Sequence, residues 1–281
     1  MADRTLDQVP ASATAQRDGA AAIERAFARA RDRGRAALMP YLMGGFPDQQ
    51  TATAVARAYA KSGADLIELG VPFSDPLADG PVIHRAATAA LDAGATLDSV
   101  LETCAAVSHE VAVVVMCYSN MLLGDPAAFA ERLAEAAAAG AIVPDLPLEE
   151  IPPVRAALDE RALALVPLVA PTTPPERRRA ICQAARGFVY LVSTPGTTGE
   201  RELLPAELTD LVKATKADSE VPVAVGFGIS TPQQAGAVGA VADGVIIGSR
   251  LVRAAGEAGS AERAAAAVGE FLAASIEAIS R

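Results

Sequence analysis

The sequence predicts a single (β/α)8 TIM barrel, preceded by an extra N-terminal helix and a flexible leader. Three observations predict it. Eight short apolar runs alternate with helical segments, the pattern of a parallel sheet joined by helical crossovers. The 281 residues hold one barrel of about 250 residues with a tail. Turns rich in glycine and proline follow the apolar runs, and no charged linker divides the chain. An open doubly wound sheet is the competing arrangement, and eight unbroken repeats favour the barrel. The expected organisation is a leader over residues 1–20 and one catalytic barrel over 21–281.

Met1 to Ala20 is polar and aperiodic, as expected of a flexible leader. Ile23 to Arg33 is predicted helical, with arginines in its last turn and Gly34 as the stop. The strands are predicted at Ala37–Met43, Asp65–Leu69, Val111–Met116, Ala141–Val143, Ala164–Val169, Phe188–Val192, Val221–Val225 and Gly244–Ile247. The third, VAVVVM, is a continuous valine-rich run, as expected of a strand buried on both faces. Between them, helices are predicted at Gln49–Ser62, His84–Asp92, Leu97–His109, Pro126–Ala139, Leu148–Arg161, Pro175–Ala185, Pro205–Ala217 and Thr231–Val241. A short helix over Arg250–Ala255 and a long one over Ala261–Ile279 close the chain. Pro126 suits a first helical turn, where its missing N–H costs nothing.

Composition narrows the function. A net charge of −10 argues against nucleic acid, whose phosphates need a basic face. Three widely spaced cysteines show no metal or disulfide pattern and suit a reduced compartment. No apolar run reaches the roughly 18 residues of a membrane span, and none reads as a signal peptide. A cytoplasmic protein with no membrane partner is expected.

The stretch Leu66–Pro81, LIELGVPFSDPLADGP, carries the chemistry. Glu68 lies inside an apolar strand, where an isolated charge is costly. The following loop is stiffened by Pro72, Pro76 and Pro81 and bears Asp75 and Asp79. Two carboxyl groups in different surroundings can take opposite proton-transfer roles. The alternative for each acid alone is a paired core carboxylate, a turn former or a helix cap. Elimination supports the chemical reading. The lysines, Lys61, Lys213 and Lys216, fall on no predicted strand end, which closes a Schiff-base route. His84 and His109 are too few for a typical transition-metal site, so no metal is expected. Carboxylate acid–base catalysis remains. Gly226-Phe-Gly228 after strand seven and Gly248-Ser249 after strand eight form a candidate phosphate cradle, with Gly199 a possible third side. Backbone amides would let an acidic chain hold an anion. Asp145, between two prolines, reads as a loop-fixing or a site residue, and Tyr118 and Tyr190 as core or site residues.

ELGVPFSDPLADGP is similar to the signature of the tryptophan synthase α subunit family. The likeness extends over about residues 22 to 280 through Met116-x-Tyr118-x-Asn120, Ile142-Val-Pro-Asp-Leu-Pro147, Gly187-Phe-Val-Tyr190 with Ser193, Thr198-Gly199, Gly226-Phe-Gly-Ile-Ser230 and Gly248-Ser249. The resemblance implies a lyase of tryptophan biosynthesis that cleaves indole-3-glycerol phosphate to indole and glyceraldehyde 3-phosphate. It implies Glu68 as general acid/base, Asp79 as acceptor of the indole N–H, and Tyr190 and Thr198 in support. Gly199, Gly228, Gly248 and Ser249 correspond to phosphate contacts, and Tyr41, Met116, Ile142 and Phe227 to the indole pocket. Pro72, Asp75, Asn120 and Pro147 correspond to the interface with a β subunit in an α2β2 assembly. PLP is implied on that partner and no cofactor in this chain. A free-standing lyase without a β partner is the alternative; an idle binding barrel and another phosphosugar enzyme are more distant ones. The chain departs from the family pattern at Met43-Gly-Gly-Phe-Pro47, at His84 where glutamine is common, at Ala139, and at Pro195 and Thr197 in the strand-six loop.

Overall fold

The computed structural model describes residues 18–192, 206–226 and 228–280. Nine parallel strand segments form one sheet that curls into a barrel. They are β1 (Ala37–Met43), β2 (Leu66–Gly70), β3 (Ala112–Met116), β4 (Gly140–Ile142), β5 (Ala164–Val166 and Leu168–Val169), β6 (Val189–Val192), β7 (Val223–Gly226) and β8 (Gly244–Ile247). The two segments of β5 flank Pro167. The first pairs with β4 and the second with β6, so the eight strands close through this break. Proline has no N–H to give the ladder, but its carbonyl still accepts from Tyr190 N–H at 3.0 Å. The predicted single strand Ala164–Val169 is therefore present, hinged at its proline.

Eleven α-helices lie among the described residues: α1 (Gly19–Asp32), α2 (Gln49–Lys61), α3 (Pro81–Asp92), α4 (Leu97–Val107), α5 (Pro126–Glu135), α6 (Ile151–Asp159), α7 (Pro175–Ala184), α8 (Ala206–Asp218), α9 (Pro232–Gly239), α10 (Ser249–Glu257) and α11 (Ala261–Ile279). Two expectations need correction. The helix expected over Pro126–Ala139 stops at Glu135, because Ala137 turns left-handed (φ 54°) to feed β4. The helix expected over Leu148–Arg161 is a 3₁₀ turn, Leu148–Glu150, followed by α6, whose Pro152 and Pro153 fit a first turn.

Strand alternation sorts side chains between two cores. Ile67 and Leu69 face outward into the layer shared with the helices. Leu66 faces inward with Met39, Val114, Ile142, Val166, Phe188, Tyr190 and Ile246. Period two then puts Glu68 and Gly70 on the inner face as well. Helix α1 plugs the opposite end: Ile23 and Phe27 join the interior cluster, and the Phe27 ring lies 5.6 Å from Phe188. Asp18 starts this helix by accepting from Ala21 N–H at 2.9 Å.

Two devices fix the interior. Between β1 and β2, buried Arg35 pairs with buried Asp65 through both terminal guanidinium nitrogens, Nη1 and Nη2, and Asp65 also accepts from Leu38 N–H at 2.8 Å. Near the mouth, glycines make room for tyrosines. A Cβ on Gly70 would sit 2.1 Å from the Tyr41 hydroxyl, and one on Gly226 would sit 2.6 Å from the Tyr190 hydroxyl. Two outcomes follow. Asp65→Ala strands a buried guanidinium and is expected to cost about 3–5 kcal/mol in urea unfolding; a loss under about 1 kcal/mol would contradict the pairing. Gly70→Ala must displace the Tyr41 ring and is expected to cost about 1–3 kcal/mol by the same measurement, with a neutral result contradicting the packing.

Candidate active site

Glu68 stands on the inner face of β2, level with Tyr41 on β1 and Val114 on β3. It is 1% exposed. Its Oε2 meets no hydrogen-bond partner among the described residues. Removing a carboxyl group from water without a compensating partner disfavours its charged form. Burial, with the negative charge of Asp79 second, therefore pushes the Glu68 carboxyl up to about 8. Near neutrality this side chain holds a proton.

Asp79 lies on the loop between β2 and α3, half-buried at the mouth. Burial raises its carboxyl above the usual range, while a hydrogen bond with Tyr118 and the positive charge of His84 pull the other way. The two acids thus meet different surroundings: apolar wall for Glu68, polar rim for Asp79. Both act electrostatically on Tyr41 and on Tyr190, whose hydroxyls are held well above their ordinary range by burial first and these charges second. Four of the expected residues are thereby brought around one space.

The pocket residues continue this wall. Ile142 and Tyr190 are buried in the interior cluster. Met116 packs against both that cluster and the one around Tyr41 and Met43. The Tyr41 ring also reaches Gly248, where an added Cβ would lie 3.7 Å from the Tyr41 Cβ. Gly248 caps α10 with no side-chain bond, and Ser249 opens that helix. Gly228 adopts φ 25° in the turn after β7. Thr198, Gly199 and Phe227 lie outside the described residues.

On the rim, Asp75, Asn120 and Pro147 are exposed, whereas Pro72 is buried within the chain itself. Asp75 accepts from Ser74 Oγ at 2.5 Å. Asp145 accepts from both the N–H and the hydroxyl of Ser119, at 2.8 and 2.7 Å, so it ties the loops after β3 and β4 together. The lysines all lie on helices: Lys61 in α2, Lys213 and Lys216 in α8.

Two residues do more at the site than the sequence revealed. The Tyr118 hydroxyl accepts from Ala78 N–H at 3.1 Å and also hydrogen-bonds Asp79, fastening the loop that carries this acid. Its ring lies 5.0 Å from Phe73 of the same loop. Its position just past β3 was the available signal. Gln234, in the first turn of α9, accepts from Ser230 N–H and Oγ at 2.8 and 3.0 Å and clamps the turn after Gly228. Its spacing from Thr231 matches a capping box, which was the signal there.

Comparison with known proteins agrees with this architecture. The family described as "Tryptophan synthase alpha chain" matches residues 27–280. The α chain of Synechococcus sp. (strain CC9902) is 48% identical over 231 residues, 81% of this chain and 86% of that one. The α chain of Carboxydothermus hydrogenoformans is 46% identical over 233 residues, 82% of this chain and 87% of that one. Among solved structures, tryptophan synthase of Mycobacterium tuberculosis superposes with a TM-score of 0.84 at 39% identity, covering 92% of this chain and 98% of that chain. The α subunit from Legionella pneumophila str. Paris gives 0.83 at 36% identity, covering 92% and 98%. On residues 27–280 and on the barrel that carries them, the chain belongs to the tryptophan synthase α chain family.

Proposed function

We propose that this chain is the tryptophan synthase α subunit that cleaves indole-3-glycerol phosphate to indole and glyceraldehyde 3-phosphate, with Glu68 and Asp79 as its catalytic pair. The observation that carries the reading is a fully buried carboxyl in the barrel wall, its Oε2 without a partner among the described residues, with a second, half-buried carboxyl at the mouth whose charge acts on it.

The chemistry follows from their different charge states. Glu68, protonated near neutrality, gives its proton to the ring carbon that bears the side chain. The ring nitrogen becomes positive, and Asp79, as a carboxylate, accepts its N–H and stabilises that charge. Glu68, now a carboxylate, takes the proton of the adjacent side-chain hydroxyl. The carbonyl of glyceraldehyde 3-phosphate forms, the carbon–carbon bond breaks, and its electrons return to the ring to leave neutral indole. One proton enters and one leaves, so Glu68 ends as it began.

Tyr41, Met116, Ile142 and Phe227 would enclose the ring. Tyr190 supports Glu68, and Thr198 would hold Asp79 once the strand-six loop covers the site. Main-chain N–H groups of Gly199, Gly228, Gly248 and Ser249 would grip the phosphate. The uncapped start of α10 supports this, since a helix N-terminus attracts an anion. The step as written uses only side chains of this chain and needs no cofactor; PLP belongs to the β subunit. Asp75, Asn120 and Pro147, with Pro72 shaping the loop beneath, form the surface for that partner in an α2β2 assembly. Leu77, 88% exposed beside Asp75, and Leu123, 43% exposed near Asn120, support a docking face there. Among the described residues no helix is long and apolar enough to cross a membrane, in keeping with a cytoplasmic enzyme.

Three outcomes test this reading. Glu68→Gln and Asp79→Asn should each lower indole release from indole-3-glycerol phosphate by about 100-fold or more, and near-normal turnover in either would refute the assignment. For the native chain, kcat/KM should fall as pH rises past about 8, where Glu68 loses its proton; a flat profile there would contradict its role as acid. Stability should show the same group. The unfolded carboxyl ionises near 4.5 and the folded one near 8, so stability declines between these values as pH rises. Glu68→Gln should remove that slope and stabilise the chain at pH 8 by about 2–4 kcal/mol in urea unfolding. An unchanged slope would show that Glu68 is not the group held protonated.

A further inference from the structure

One side-chain amide holds the turn after β7. Thr231 is the N-cap of α9, and its hydroxyl accepts from Gln234 N–H at 3.2 Å. Gln234 Oε1 reaches back and accepts from Thr231 N–H at 3.2 Å, from Ser230 N–H at 2.8 Å and from Ser230 Oγ at 3.0 Å. Two main-chain donors facing one atom identify it as the amide oxygen and not the nitrogen. Ile229, 3% exposed, anchors the same turn in the helix layer. The path from Gly228, at φ 25°, to the start of α9 is therefore fixed by a buried side chain and by this clamp.

The chemistry of the clamp is less expected than its geometry. A capping box takes glutamate or glutamine at this position. Glutamate has the local advantage, because a carboxylate accepts such bonds more strongly and a helix N-terminus stabilises negative charge. The chain uses glutamine. The first turns of α9 and α10, the helices that follow β7 and β8, contain no acid. Gly228 is two residues before Ser230, so the amide oxygen stands within about 10 Å of the Gly228 N–H. That is roughly one Debye length in moderate salt, so a charge placed there acts on an anion bound at Gly228.

We infer that Gln234 is a positioning residue for phosphate binding: its amide oxygen sets the turn that carries Gly228, and its lack of charge keeps that turn open to an anion. The inference rests on the proposed phosphate role of Gly228, Gly248 and Ser249. A plain helix cap needs only the hydrogen bonds, and glutamate would serve it as well or better. The two roles part at a single substitution, Gln234→Glu, which keeps the acceptor and adds the charge.

The test is KM and kcat for indole release by the full chain, with inorganic phosphate as competing anion, for native, Gln234→Glu and Gln234→Ala proteins. Each is measured at low salt and at about 1 M sodium chloride, alongside urea unfolding. Gln234→Glu is expected to be as stable as the native chain or more so. At low salt its KM and its inhibition constant for phosphate should rise about 3–10-fold, with kcat within about twofold of native, and the rise should shrink in high salt. Gln234→Ala loses the clamp, so its KM should rise at both salt concentrations. A native KM in either variant at low salt would overturn the inference and leave a helix cap only. An equal rise at both salt concentrations in Gln234→Glu would overturn it too, since that marks a displaced turn and not a charge. These results leave the proposed function standing if Glu68→Gln and Asp79→Asn are inactive. Failure of phosphate to compete with the substrate in the native chain overturns the phosphate reading and this inference together.

Discussion

A carboxyl group on the inner face of a barrel strand is the constraint on which the rest depends. Period-two alternation on β2 sends Leu66 and Glu68 into the same interior, so the residue that packs and the residue that ionises share one wall. Water is excluded there by Met39, Val114 and Ile142. The acid is left with no partner for its Oε2 among the described residues, and burial pushes its carboxyl up to about 8. A hydrophobic side chain would fit this position at lower cost, and that disadvantage is characteristic of a functional group.

The surrounding structure holds that acid in place and offers it a counterpart. Arg35 and Asp65 lock β1 to β2 below it, and Gly70 admits the Tyr41 ring above it. Pro72, Pro76 and Pro81 stiffen the loop that returns Asp79 over the mouth, and Tyr118 ties that loop to the end of β3. The open end of α10 and the turn clamped by Gln234 stand at the ends of β7 and β8. The proposed proton-transfer pair and the proposed anion site thus lie at neighbouring strand ends, a division that suits a substrate with an aromatic ring at one end and a phosphate at the other.

Much of this was legible in the residues because it depends on burial patterns. VAVVVM could only be an interior strand, and Ala261–Ile279 was predicted with the bounds the helix shows. Glu68 stood out as an ion in an apolar run. The misreadings have physical causes. Alanine favours helix, so Ala136 to Ala139 looked like the end of α5, but the chain needs a left-handed turn there to enter β4. Arg35 and Asp65 are 30 residues apart, and nothing local announces their pairing. Tyr118 reads as a strand-end aromatic until the loop folds back onto its hydroxyl. The supporting role of Thr198 is legible only through resemblance.

The direct measurement is the titration of the Glu68 carboxyl itself, followed by carbon NMR on side-chain-labelled glutamate, with Glu68→Gln to identify its resonance. The account predicts a midpoint near 8, displaced when Asp79 is replaced by asparagine. A midpoint in the ordinary glutamate range of about 4.3 would mean that the wall does not hold a protonated acid, and would contradict the account at its base.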